Sequence, residues 1–102
     1  MSVKKQYLKT KPYCRVTFRL DKAAVGNARQ ASLAADFNDW RPESTPMKVL
    51  KKGGFVVSVD LEKGRAYQFR YVLDGHTWLT DNAADGIVHC SFADCDNAVV
   101  TV

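Results

Sequence analysis

A chain of 102 residues holds one hydrophobic core and leaves little room for a deep catalytic cleft. Hydrophobic residues make up 46% of it and charged residues 25%, the balance of a globular domain, and no apolar run reaches the roughly eighteen residues a membrane-spanning helix needs. The formal charge of +4 looks like a polyanion signal until it is located: Lys4, Lys5, Lys9 and Lys11 lie in an acid-free N-terminal segment, and residues 12–102 carry eleven basic and eleven acidic side chains. With no basic patch interleaved with aromatics in the balanced part, nucleic acid is not an expected partner, and neither is a membrane.

Residues 1–11 have basic side chains but no following apolar stretch, so they do not read as a secretory signal. They are expected to form a disordered tail, followed by a single domain over residues 12–102, and the expected compartment is the cytoplasm. From Cys14 the chain alternates: Val16, Phe18 and Leu20 share one face while Arg15, Thr17 and Arg19 share the other, a half-buried strand. The Ala-rich stretch 23–34 is interrupted by Gly26 and Asn27 and is expected to be a loop leading into a strand at 31–35. The segment Asp36-Phe37-Asn38-Asp39-Trp40-Arg41-Pro42 has turn chemistry, which sets Trp40 at the surface.

A short strand is expected at 47–50, joined through Gly53-Gly54 to a second at 55–61 whose inward residues are Phe55, Val57, Val59 and Leu61. Residues 67–73 alternate again, with Tyr67, Phe69, Tyr71 and Leu73 opposite Gln68, Arg70 and Val72. Asp74-Gly75 then turns the chain into Trp78-Leu79, and a last strand covers 98–102, so the polypeptide is expected to end with its domain complete. Short strands at this spacing, with no helical period sustained, predict an all-β antiparallel sandwich of about seven strands. Its expected core comprises Val16, Phe18, Leu20, Phe55, Val57, Val59, Phe69 and Tyr71.

Cys14, Cys90 and Cys95 form an odd set that suits reduced thiols. His89 beside Cys90 matches no standard zinc spacing, so neither a metal nor another cofactor is expected. Catalysis is not expected either. Glycoside hydrolysis uses two carboxylates across a cleft, whereas Glu43, Glu62, Asp74 and Asp81 fall in turns, and no nucleophile–base arrangement is read around His76 or His89, the two histidines of the chain. The two tryptophans point elsewhere. A pyranose ring has an apolar C–H face and a rim of hydroxyls, so it needs a flat aromatic platform and a few placed polar groups. Trp40 and Trp78 supply the first, and Arg70, on the polar face of its strand, offers a fork of donors for vicinal hydroxyls.

Ala34-Ala35-Asp36-Phe37-Asn38-Asp39-Trp40, then Tyr67-Gln68-Phe69-Arg70-Tyr71-Val72-Leu73-Asp74-Gly75, Trp78-Leu79-Thr80-Asp81 and Asn97-Ala98-Val99-Val100, resemble family-48 carbohydrate-binding modules. These include the isoamylase N-terminal early set domain and the glycogen-binding domain of the AMP-activated kinase β-subunit. The resemblance covers roughly residues 13–102, close to a typical domain length. It implies an immunoglobulin-like sandwich of early set type that binds α-1,4-linked glucans such as glycogen, starch or maltooligosaccharides and performs no catalysis. Trp40 and Trp78 match its sugar-stacking tryptophans and Arg70 a basic side chain that contacts glucose hydroxyls. Phe92 lies near an apolar contact position and Asp96 near a sugar-contacting asparagine. Ala35 stands where glycine is usual, Asn82 where proline is common, and Asp94 and Asp96 where neutral polar residues are usual. The alternative is a docking module of the same fold, without sugar binding, seated on a glucan-metabolising enzyme or a regulatory protein.

Overall fold

The alternation read along the chain becomes two antiparallel sheets packed on each other. The computed structural model describes residues 2–81, 84–90 and 95–102, for Cys90 and Cys95 the backbone alone. Its strands are β1 (Ser2–Tyr7), β2 (Tyr13–Leu20), β3 (Ala31–Ala35), β4 (Lys48–Val49), β5 (Phe55–Glu62), β6 (Ala66–Leu73), β7 (Thr77–Leu79), β8 (Gly86–Cys90) and β9 (Cys95–Thr101). The first sheet runs β1-β2-β5-β4; the second runs β3-β6-β9-β8, with β7 also paired to β6. The all-β, immunoglobulin-like sandwich expected from the sequence is the fold observed.

The inward positions build one core between the sheets. Val16, Phe18 and Leu20 face Leu33, Phe69 and Tyr71, all fully buried, and the Phe18 and Phe69 rings meet edge to face at 4.9 Å. Each such aromatic contributes roughly 1.5–3 kcal/mol through its burial. Phe55 and Leu61 anchor the two ends of β5, but Val57 and Val59 between them are only partly buried. The thiol of Cys14 is packed in this core.

Three expectations are corrected. The N-terminal segment is not a disordered tail: β1 pairs with β2 from Ser2↔Arg19 to Tyr7↔Cys14, so the ordered unit begins before residue 12. Val3 packs on the core, and Lys4 and Lys5, two of the lysines that mimicked a solvated tail, are the chemistry of a protected edge strand. Lys5 also reaches the second sheet, 2.7 Å from Asp85. The Ala-rich stretch contains a single helical turn, α1 (Lys22–Val25), started by the Asp21 side chain accepting from the Ala24 amide and stopped at Gly26 with φ 58°, as N-cap Asp and C-terminal Gly favour. Strand β8 was not foreseen.

The two glycine turns behave as expected. Gly54 has φ +90° and a side chain there would meet the Leu20 carbonyl, so the β4–β5 turn requires glycine. Before β4, the chain runs along the edge of β3: the Leu33 amide donates to the Thr45 carbonyl and the Met47 amide to the Ala31 carbonyl. It then crosses to β5 in the other sheet. This crossing anchors the loop that carries Trp40.

Candidate functional site

Side chains alternate across β6, so Gln68, Arg70 and Val72 face outward from the second sheet. Strand β7 sets Trp78 opposite Val72, which brings its ring to that same outer face, where it is 42% exposed. The intervening reversal has positive φ at Asp74 (51°) and Gly75 (77°), a pair of values for which Asp-Gly is suited. Asp74 also fastens the turn to the rest of the sheet. Its Oδ1 accepts from the Arg29 and Gln30 amides at 2.8 and 3.0 Å, bonds that hold its carboxyl below the ordinary carboxylate value.

Arg70 lies with its guanidinium carbon 5.2 Å from the centre of the Trp78 ring, within the range of a cation–π contact. Its Nε donates to Thr80 Oγ1 at 3.3 Å. That hydroxyl donates in turn to the Asp96 carbonyl at 2.7 Å, and the Asp96 carboxylate sits 2.9 Å from His89 Nδ1. The β8–β9 hairpin is thereby linked through Thr80 to the cation above Trp78. Asn97 Nδ2 donates to Gln68 Oε1 at 3.2 Å, adding an amide pair to the same sheet face. Under the site the Tyr71 hydroxyl is driven far above the ordinary tyrosine range, first by burial and then by the charge of the buried Asp81.

Trp40 reaches the region from β3. A short 3-10 turn over Asp36–Asn38 ends the strand, and Asn38 staples it: Oδ1 accepts from the Ala35 amide at 2.9 Å, and Nδ2 donates to the Leu33 carbonyl at 2.9 Å and to Thr45 Oγ1 at 3.0 Å. Asp36 Oδ2 accepts from the Gln68 amide at 3.1 Å and so continues the pairing to β6. Asp39 and Trp40 then take left-handed φ values of 56° and 57°, and the Trp40 amide closes on the Ala35 carbonyl at 2.8 Å. For a bulky residue this conformation costs on the order of 1–3 kcal/mol. Ala34, beside Ala35, is the register partner of Arg70, so Trp40 leaves the strand end that flanks Arg70 on the side away from β7. Its side chain is half-buried, less open than its turn setting suggested. Ala35 itself is extended, with φ −154°, a conformation open to any residue, so its departure from glycine leaves the turn intact.

Of the residues singled out in the sequence, Arg70 and Trp78 are in direct contact and Trp40 stands at the end of the neighbouring strand. Asp96 joins the group through its carbonyl, while its carboxylate faces His89. Phe92 lies outside the described residues. Thr80 and Asn97 were not foreseen as members; the outward parity of Gln68 and Arg70 was the available signal for Asn97, and nothing local marks Thr80.

The outer face of the second sheet thus combines an exposed tryptophan, a cation over its ring and polar amides beside it. Residues 25–84 match the family model described as carbohydrate-binding module 48 (isoamylase N-terminal domain), more than half of the chain, and the chain belongs to that family. The matched span includes Trp40, Arg70 and Trp78 and stops before Phe92 and Asp96. No curated protein matches the chain.

Proposed function

We propose that this domain binds α-1,4-linked glucan chains, as found in glycogen, starch and maltooligosaccharides, and does so without catalysing a reaction on them. The observation that carries this reading is the Arg70 guanidinium held over the exposed ring of Trp78 in a member of a carbohydrate-binding family. A glucose ring stacks its C–H face on Trp78, while the Arg70 guanidinium donates to hydroxyls at its rim. Trp40 adds a second apolar wall, and its left-handed backbone is the kind of local strain that clusters at binding positions. Asp96, at the start of β9 with its carboxylate bonded to His89, offers an acceptor for sugar hydroxyls secondary to the platform, and the resemblance adds Phe92 as an apolar contact.

Calorimetric titration with maltoheptaose and, separately, with the β-1,4-linked cellohexaose tests the reading. Saturable heat with the first and none with the second is expected, together with no release of reducing ends from starch. Absence of binding to any maltooligosaccharide, with the tryptophan face instead protected by a protein partner, overturns it in favour of a docking module.

A further inference from the structure

A second surface has the same chemical ingredients in a different place. At the end of the sandwich where β5 passes to β6, a groove of about 450 Å³ opens between Tyr13, Phe37, Leu61 and Tyr67. That volume is within the range of small-ligand sites. It lies at the start of β6, about 17 Å along the strand from the Val72 position beside Trp78 at ~3.3 Å per residue.

Its aromatic members are held in place. Phe37 meets Tyr67 edge to face at 5.9 Å, the Tyr67 hydroxyl donates to the Glu62 carbonyl at 3.1 Å, and the Arg65 guanidinium carbon sits 5.4 Å from the Tyr67 ring centre. Tyr13 remains 43% exposed to solvent. Three carboxylates border the groove, yet each is already engaged: Asp36 by the Gln68 amide at 3.1 Å, Asp60 by Arg15 Nε at 3.0 Å and Glu62 by Arg65 at 3.4 Å. Two of the three acidic charges are thus matched by cations. What remains toward solvent is a set of acceptor oxygens, a guanidinium and an aromatic face, with little net field to select an ion. That combination suits a neutral, polyhydroxylated ring with one apolar face.

We infer that this groove is a second saccharide site, in which Tyr13 stacks on a sugar ring while Asp60, Glu62 and Arg65 bond its hydroxyls. The inference rests on the carbohydrate-binding reading of the family and extends it to a second contact on the same polymer. Two sites on one small domain allow a long glucan to be held at two points, which raises avidity without raising the affinity of either.

The test is a titration of the ¹⁵N-labelled full chain with maltoheptaose, following the amides of Phe37, Leu61 and Glu62 for the groove and the Trp78 indole for the platform. Both sets shift in the wild type, with separate midpoints. Tyr13→Ala weakens the groove response at least fivefold and leaves the Trp78 response unchanged, and Trp78→Ala does the reverse. Arg65→Ala, at a largely exposed side chain, weakens the groove response independently if Tyr13→Ala perturbs folding. A shift of the Trp78 indole with silent groove amides overturns the second site and leaves the first reading standing. Groove shifts with a silent Trp78 keep the groove and remove the platform. Groove amides that respond to calcium chloride or to a lysine tetrapeptide but not to the sugar also overturn the inference.

Discussion

The outer faces of the two sheets have similar backbones and opposite surface chemistry. On the first sheet the outward side chains satisfy one another across the strands: Arg15 pairs with Asp60 at 3.0 Å and Thr17 with Ser58 at 2.8 Å. On the second, an exposed indole carries a cation whose Nε is held by Thr80. A face that closes its own hydrogen bonds gives a ligand little to replace. A face that fixes a flat ring and a donor fork in advance lowers the ordering cost of binding. The groove beyond β5 is intermediate, since two of its three carboxylates are paired with cations while Tyr13 stays exposed.

The most severe way to break the contrast is to remove what both faces share. Phe69→Ala deletes the ring that touches Phe18 and Tyr71 in the core and should cost about 3–5 kcal/mol of stability, seen as a large drop in the urea midpoint, with loss of binding as its consequence. Trp78→Ala separates the faces. It should weaken maltoheptaose binding by about 1–3 kcal/mol, the scale of a lost anchor, while the melting temperature moves far less than in Phe69→Ala, because the ring is 42% exposed. Trp40→Ala should weaken binding on the same scale.

Smaller effects sharpen the comparison. Arg70→Ala should weaken binding less than either tryptophan change, since water competes for its bonds. Thr80→Val keeps the shape but removes the hydroxyl that holds Arg70, and should cost about 0.5–1.5 kcal/mol of affinity in the same calorimetric assay. On the opposite face, Arg15→Ala should change stability by no more than about 1 kcal/mol, the range of an exposed ion pair, and leave platform affinity unchanged when measured through the Trp78 signal.

The tie between the sheets should be readable through pH. Lys5 first, and the Thr101 amide after it, hold the Asp85 carboxyl below its ordinary value of 3.8. A carboxyl with a depressed folded value stabilises the fold above its unfolded pKa, and that contribution disappears as pH falls through the folded value. Asp85→Asn should therefore lower the melting temperature at neutral pH. The gap from wild type should close once the pH is below the ordinary carboxylate range.

Much of the fold was legible because three strands carry uninterrupted period-two patterns. β2, β5 and β6 followed from Val16-Phe18-Leu20, from Phe55-Val57-Val59-Leu61, and from Tyr67-Phe69-Tyr71-Leu73, and the Gly53-Gly54 and Asp74-Gly75 reversals joined them to their neighbours. β1 was hidden because its lysines describe both a solvated tail and an edge strand, and pairing with β2 distinguishes the two. β8 is a short segment whose partner is chosen by β9 rather than by its own pattern. Val72 illustrates a further limit: it faces outward by parity, yet it is 2% exposed, because Ser32 and Trp78 flank it in register. At the site, the shared face of Arg70 and Trp78 could be inferred from strand parity and the turn between them. The link through Thr80 could not, because it joins the end of β7 to β9 by a side-chain bond with no local signature.

Intrinsic tryptophan fluorescence during titration with maltoheptaose tests the central claim most directly, since Trp78 is both the proposed platform and the reporter. Glucan binding at this face predicts a saturable change in emission, lost or strongly right-shifted in a folded Trp78→Ala variant. No change with maltoheptaose or β-cyclodextrin in a folded wild-type protein would contradict it, as would a Trp78→Ala variant that binds as tightly as the wild type by calorimetry.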